Sequence, residues 1–246
     1  MKREKHHRPL GLVMWEGPSR IDVAPIVVIL TGLRHTTRNS KTGPMLQTWI
    51  LRSDIPPLEA RATGQAKSVC GACSLLNTLC YVRVEQAPTE VYKTWKAGKY
   101  PHYVPTAHDA LIAPHAVRFG AYGDPTAAPY DVWEQLWIIC AGHTGYTHQW
   151  ADPRFARFAN LLMASCESPA AARAAQAAGW RTFRLGMADA AIKNLDILCP
   201  SDRVQCKDCG LCRGGQRKAR SIYIQGHGGN SVMRKMREFF KKQSDT

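Results

Sequence analysis

The chain has 246 residues, 45% of them hydrophobic, and its 33 Lys and Arg outnumber 19 Asp and Glu for a net charge of +14. That apolar share excludes wholesale disorder, and its longest apolar run, Pro25 to Leu30, falls far short of the ~18–20 residues of a membrane span. The length suits one large domain or two small ones.

The N-terminus, Met1 to Pro9, is basic with no apolar stretch behind it, which argues against a secretory signal and for a cytoplasmic chain with reduced thiols. Residues 1–24 read as an irregular basic lead-in. The β-branched run 25–31 predicts a buried strand ended by Thr31-Gly32. A polar loop from Arg34 to Gly43 leads to a second strand over Met45–Leu51. Pro56-Pro57, Gly64 and Gly71 make 53–79 mostly loop. Cys80–Val84 reads as a short strand, and Pro88 and Gly98 bracket a helix.

From residue 116 the pattern becomes regular. Strands are predicted at Val117–Ala121, Thr144–Thr147, Leu161–Cys166, Trp180–Leu185 and Ser221–Gly226. Helices are predicted at Tyr130–Cys140, Pro153–Ala159 and Pro169–Ala178. Strands alternating with helices across short linkers argue for parallel βαβ units. The predicted fold is therefore one α/β domain over 25–230, a partial or full (β/α) barrel with mostly parallel strands and a cysteine-rich C-terminal insert at 199–215. Residues 231–246 form a basic helix or tail.

Seven of nine cysteines fall into two groups, Cys70-x2-Cys73-x6-Cys80 and Cys199 with Cys206-x2-Cys209-x2-Cys212. A Cys-x2-Cys turn places two thiolates on one side of a tight loop, where one metal or cluster can take both. Four cysteines satisfy tetrahedral zinc and equally a [4Fe–4S] cluster. Three leave one iron open to a small ligand. Either Cys70/Cys73 and Cys209/Cys212 join as one zinc ribbon, or the seven serve two separate sites. Cys140 and Cys166 stand alone and read as core, as do Trp133 and Trp137 on one helix face.

Segment 213–246 carries nine basic residues against Glu238 and Asp245, half of the net charge. A helix over Val232–Lys242 would set Met233, Met236, Phe239 and Phe240 along one side. Clustered charge of this kind suits nucleic-acid phosphate.

Several short motifs occur together in one order. They are Asn39-Ser40-Lys41-Thr42-Gly43, the Cys70–Cys80-Tyr81 group, Arg118 to Asp124, Gly145-Tyr146-Thr147-His148, and the last cysteines followed by His227-Gly228. Across residues 17–230 this order resembles the phage "gene product eighty-eight" family of phage and plasmid proteins, which in turn is distantly similar to radical S-adenosylmethionine enzymes. The resemblance implies a partial (β/α) barrel in which Cys70, Cys73 and Cys80 hold a [4Fe–4S] cluster whose open iron binds S-adenosylmethionine. It also implies that Gly123-Asp124-Pro125 meets the methionine amino group and that Cys199, Cys206, Cys209 and Cys212 hold an auxiliary cluster. The spacing here, x2 then x6, differs from the x3 then x2 of most such enzymes.

Functional groups of parallel α/β folds collect at the C-terminal ends of the strands. That rule gathers Asp124, Tyr146, Thr147, His148, Gln149, Cys166, Glu167, Arg184 and His227. Asp124, Tyr146 and His148 are the candidate catalytic residues; Gly123, Asp124 and Lys41 are the candidate cofactor contacts. Asp124 also reads as the cap of the following helix. The 39–43 loop is a candidate phosphate or carboxylate cradle, although it lacks a nucleotide P-loop pattern.

Overall fold

The computed structural model describes residues 8–37, 39–187, 190–215, 219–227 and 229–244. Three strands open the chain: β1 (Gly11–Pro18), β2 (Pro25–Thr31) and β3 (Leu46–Arg52). Four short helices follow: α1 (Pro57–Ala62), α2 (Lys67–Cys70), α3 (Ala87–Lys96) and α4 (Asp109–Ile112). Then come β4 (Ala116–Tyr122), α5 (Tyr130–Ile139), β5 (Gly142–Thr147), β6 (Met163–Cys166), α6 (Pro169–Ala177) and β7 (Thr182–Gly186). The chain closes with β8 (Asp196–Leu198), α7 (Cys206–Cys209), β9 (Ser221–Gln225) and α8 (Asn230–Ser244).

The strands form one nine-stranded sheet in the order β1-β2-β3-β4-β5-β6-β7-β9-β8. β1 to β3 pair antiparallel, and every later pairing is parallel. The α/β class with a mostly parallel sheet is as expected; the antiparallel start is not. β1 occupies residues read as irregular, because an edge strand with a bulge between Val13 and Trp15 shows no clean alternation. Cys80–Val84 is irregular rather than strand, with a turn beginning at Val84.

β2 is central to the antiparallel part. Ile26, Val27, Val28, Ile29 and Leu30 are all buried, each contributing roughly 1.5–3 kcal/mol of apolar burial. Alternation along β4 and β5 separates two faces. On one, Phe119 packs against Trp133 of α5 at 5.3 Å between ring centroids and stacks on His143 at 4.9 Å. On the other, Tyr146 meets Phe183 at 4.5 Å, beside a small core of Met163, Ile222 and Cys212. The second face thus carries the cysteine segment that links β8 to β9. Trp137, expected in the core, is 45% exposed, and Cys140 sits half-buried at the C-cap of α5. Cys166 is buried, as expected.

Candidate metal centres

The first cysteine group follows β3, with Cys70 closing α2. Gly71 takes φ +58°, and a Cβ there would lie 2.2 Å from the Gln149 amide, so glycine lets that side chain dock. Gln149 then clamps the loop, accepting from Ala72 N–H at 3.2 Å and donating to the Cys70 carbonyl at 3.3 Å. Gly123, with φ +82°, sits against β3, where a Cβ would approach the Ile50 carbonyl to 2.8 Å.

Asp124 organises this floor. Its backbone N–H donates to the Val69 carbonyl at 2.6 Å. One carboxylate oxygen accepts from Thr126 N–H (3.0 Å) and Oγ1 (2.8 Å), capping the following 3-10 turn, Pro125–Ala127. The other accepts from Thr147 Oγ1 (3.0 Å), His148 N–H (2.9 Å) and Gln149 Nε2 (3.4 Å). Asp124 is 5% exposed, and the capping role read from sequence is the one the structure displays.

His148 Nε2 lies 3.0 Å from Glu167 Oε1 and 3.7 Å from Cys73 Sγ. Both contacts use the same nitrogen, so the three groups do not form a nucleophile–base–orienter relay, which needs opposite ring nitrogens. Burial by itself pushes His148 down, but hydrogen bonds to Cys73 and Glu167 override it and hold the imidazole at about 10. Burial, then Cys73, Cys80 and Asp124, push the Cys70 thiol well above its ordinary value.

The second group lies on one segment, Cys199 to Cys212, that is anchored to three others. Cys199 N–H donates to the Tyr223 carbonyl at 2.7 Å, Cys206 N–H to the Lys41 carbonyl at 2.9 Å, and the Cys212 carbonyl accepts from Gly145 N–H at 3.3 Å. Gly210, left-handed with φ +64°, ends α7. Cys199, Cys206, Cys209 and Cys212 line one small cavity of about 20 Å³ with Thr144 and Ile222. Burial raises Cys212 to about 12; a hydrogen bond with Tyr146 offsets this in part, while Cys199, Cys206 and Cys209 raise it further. Cys206 is raised likewise by burial and by Cys199. Burial thus favours the neutral thiols of Cys206 and Cys212 until a cation arrives, the usual coupling of thiolate and metal.

The geometry therefore separates two cysteine groups and does not form the mixed ribbon of Cys70/Cys73 with Cys209/Cys212. Among the described residues, no three Cys, His, Asp or Glu side chains already converge as ligands of one ion. The donor chemistry nevertheless suits a thiophilic metal at both places. Two buried side-chain polar atoms lack a hydrogen-bond partner among the described residues, Tyr122 OH and Arg181 Nε. One lies beside each group: Tyr122 near Cys70 and Cys80, Arg181 near Cys212.

The remaining candidates are dispersed. Tyr146 belongs to the second group. Lys41 is not beside Gly123-Asp124; its Nζ meets His227 Nε2, and its loop is the ledge on which Cys206 docks. The 39–43 loop is closed by the Asn39 side chain, which accepts from Lys41 N–H (2.9 Å) and Thr42 N–H (3.2 Å). Arg184 is buried against Asp196 on the other side of β7, away from the mouth. A larger cavity of about 490 Å³, lined by Tyr130, Glu134, Trp137, Arg157 and Arg213 among others, contains none of the candidate catalytic residues.

Sequence reasoning gave no role to Tyr122, Arg118 or Arg181. Strand alternation was the available signal for the first two: Arg118 and Tyr122 share a face of β4, the one that Thr144 and Tyr146 continue on β5. Compared with known proteins, the chain matches no protein-family model, no curated protein and no solved structure.

Proposed function

We propose that this is an iron–sulfur protein with two thiolate-ligated centres and a barrel-like, radical S-adenosylmethionine type of architecture. Cys70, Cys73 and Cys80 would hold the reactive centre, and Cys199, Cys206, Cys209 and Cys212 a second, structural one. The observation that carries the reading is the placement of an unpartnered buried polar atom at each cysteine group. Placement along the sheet supports it. The first group follows β3, the first strand of the parallel run, and the Gly123-Asp124-Pro125 turn follows β4, the next.

With three thiolates, a [4Fe–4S] centre keeps one iron free for a small molecule such as S-adenosylmethionine, to which it would deliver an electron. The chain's own residues then have defined tasks. Asp124 and Gln149 hold the Cys70–Cys73 loop, and His148 Nε2–H, shared with Glu167, places a proton donor near Cys73 Sγ. The basic helix α8, whose Arg234, Lys235 and Arg237 are exposed, would draw in nucleic-acid phosphate.

Zinc is the second reading, and two observations favour it. The space at the four-cysteine group has the size of a single ion, and His148 gives the first group a fourth donor beside Cys73. Anaerobic purification separates the two. A brown protein with absorption near ~400 nm and about eight irons per chain, yielding 5′-deoxyadenosine with S-adenosylmethionine and a reductant, is the expected result. A colourless protein with stoichiometric zinc and no such product overturns the iron–sulfur reading.

A further inference from the structure

Two arginines near the four-cysteine group, Arg181 buried and Arg118 half-buried, lack a carboxylate partner among the described residues. Arg181, on the residue before β7, is 4% exposed. Its Nη1 donates to the Arg213 carbonyl at 2.8 Å, its Nε has no acceptor among the described residues, and the titratable groups that bear on it are the Cys212 thiol and a second cation, Arg213. Arg118 on β4 donates to the Tyr81 hydroxyl and lies against Tyr146 and Cys206. Neither arginine has a carboxylate partner among the described residues. Arg184 shows what this fold does with an arginine that serves structure alone: it is sealed against Asp196, both side chains 2% exposed.

A buried cation without a counter-charge costs several kcal/mol. Four protonated thiols cannot supply that charge. Four thiolates around a dication can, because they keep a formal charge of about −2, one negative charge for each arginine. We propose that Arg118 and Arg181 are the counter-charges of the four-cysteine centre, so that its occupant is bound as an anionic tetrathiolate complex. The inference rests on the metal-binding reading above but holds for zinc and for an iron–sulfur core alike. Arg118 has a second consequence. Through Tyr81, the residue after Cys80, it ties the four-cysteine centre to the loop of the three-cysteine group.

The sign of the effect provides the test. The full chain is stripped of metal, loaded with Zn2+ as probe ion, and compared with Arg181→Met and Arg181→Lys in both states. In the loaded protein, Arg181→Met weakens ion retention against a chelator by roughly tenfold or more, and Arg181→Lys restores most of it. In the stripped protein, Arg181→Met unfolds at the same or a higher denaturant concentration than wild type, because an uncompensated charge has been removed. Equal retention by Arg181→Met, or equal destabilisation of the stripped and loaded forms, overturns the counter-charge assignment while leaving metal binding intact. A wild-type chain that takes up no Zn2+ and forms no cluster when reconstituted anaerobically with iron and sulfide overturns the metal reading and this inference together.

Discussion

Replacing Asp124 by Asn preserves the shape of the side chain and removes one charge. The carboxylate faces donors on both sides: Thr126 N–H at 3.0 Å on one oxygen and His148 N–H at 2.9 Å on the other. An amide offers a single oxygen. In either flip its NH2 group meets one of these backbone N–H groups, neither of which can turn away. One buried donor therefore loses its acceptor, at about 1–3 kcal/mol. The surviving bonds lose their ionic assistance, roughly another 1 kcal/mol. Asp124→Asn should destabilise the chain by about 3 kcal/mol, read as a lower denaturant midpoint at unchanged slope. Thr126→Val, which removes only the 2.8 Å hydroxyl bond, should cost about 1 kcal/mol. An Asp124→Asn protein within about 0.5 kcal/mol of wild type would refute the assignment of Asp124 as the hub of this floor.

Gly123→Ala should cost more than about 3 kcal/mol or abolish folding, since it combines a φ of +82° with a Cβ 2.8 Å from the Ile50 backbone oxygen; a wild-type melting temperature would show that this turn is not tightly packed. Arg184→Met should cost about 3–5 kcal/mol by leaving Asp196 buried and unpaired, and joint replacement of Arg184 and Asp196 by apolar residues should recover much of it. Additive losses in that double variant would mean that the pair is not coupled. Replacing the exposed Lys235 and Arg237 of α8 with Gln should flatten the dependence of log K on log salt for duplex DNA, by about 0.9 for each phosphate that is no longer neutralised. An unchanged slope would exclude α8 from the interface.

Much of this fold was legible where local pattern and burial coincide. The run Ile26–Leu30 is apolar because both of its faces are covered, and Ser168 caps α6 through its hydroxyl at 3.1 Å from Ala171 N–H, just before the predicted alanine-rich helix. Cys80–Val84 misled because its alternation suggests a strand, yet the nearby helices leave it no pairing partner; Val82 offers its carbonyl to Arg61 instead. Trp137 lies four residues from Trp133, and helical spacing puts the two on one face. Only Trp133 reaches Phe119, however, while Trp137 rims the open cavity with Arg157 and Arg213.

The cysteine groups were legible because ligand spacing is local. The choice between two separate sites and one mixed ribbon was not, because that depends on where the strands carry the two groups. The roles of Gln149, Arg118 and Arg181 are tertiary for the same reason. A side chain that clamps a loop 79 positions away in the chain, or a guanidinium facing thiols from another segment, leaves no mark in a window of neighbouring residues.

Metal content, resolved by group, tests the central claim most directly. Iron, zinc and acid-labile sulfide are measured per chain after anaerobic loading of three proteins: wild type, a variant with Ser at Cys70, Cys73 and Cys80, and one with Ser at Cys199, Cys206, Cys209 and Cys212. Two independent iron–sulfur centres predict about eight irons in wild type and about half of that in the first variant. The same loss or more is expected in the second, whose structural centre contributes to folding. A wild-type chain that holds zinc in place of iron, or no metal, or a first variant that binds as much metal as wild type, would contradict the account.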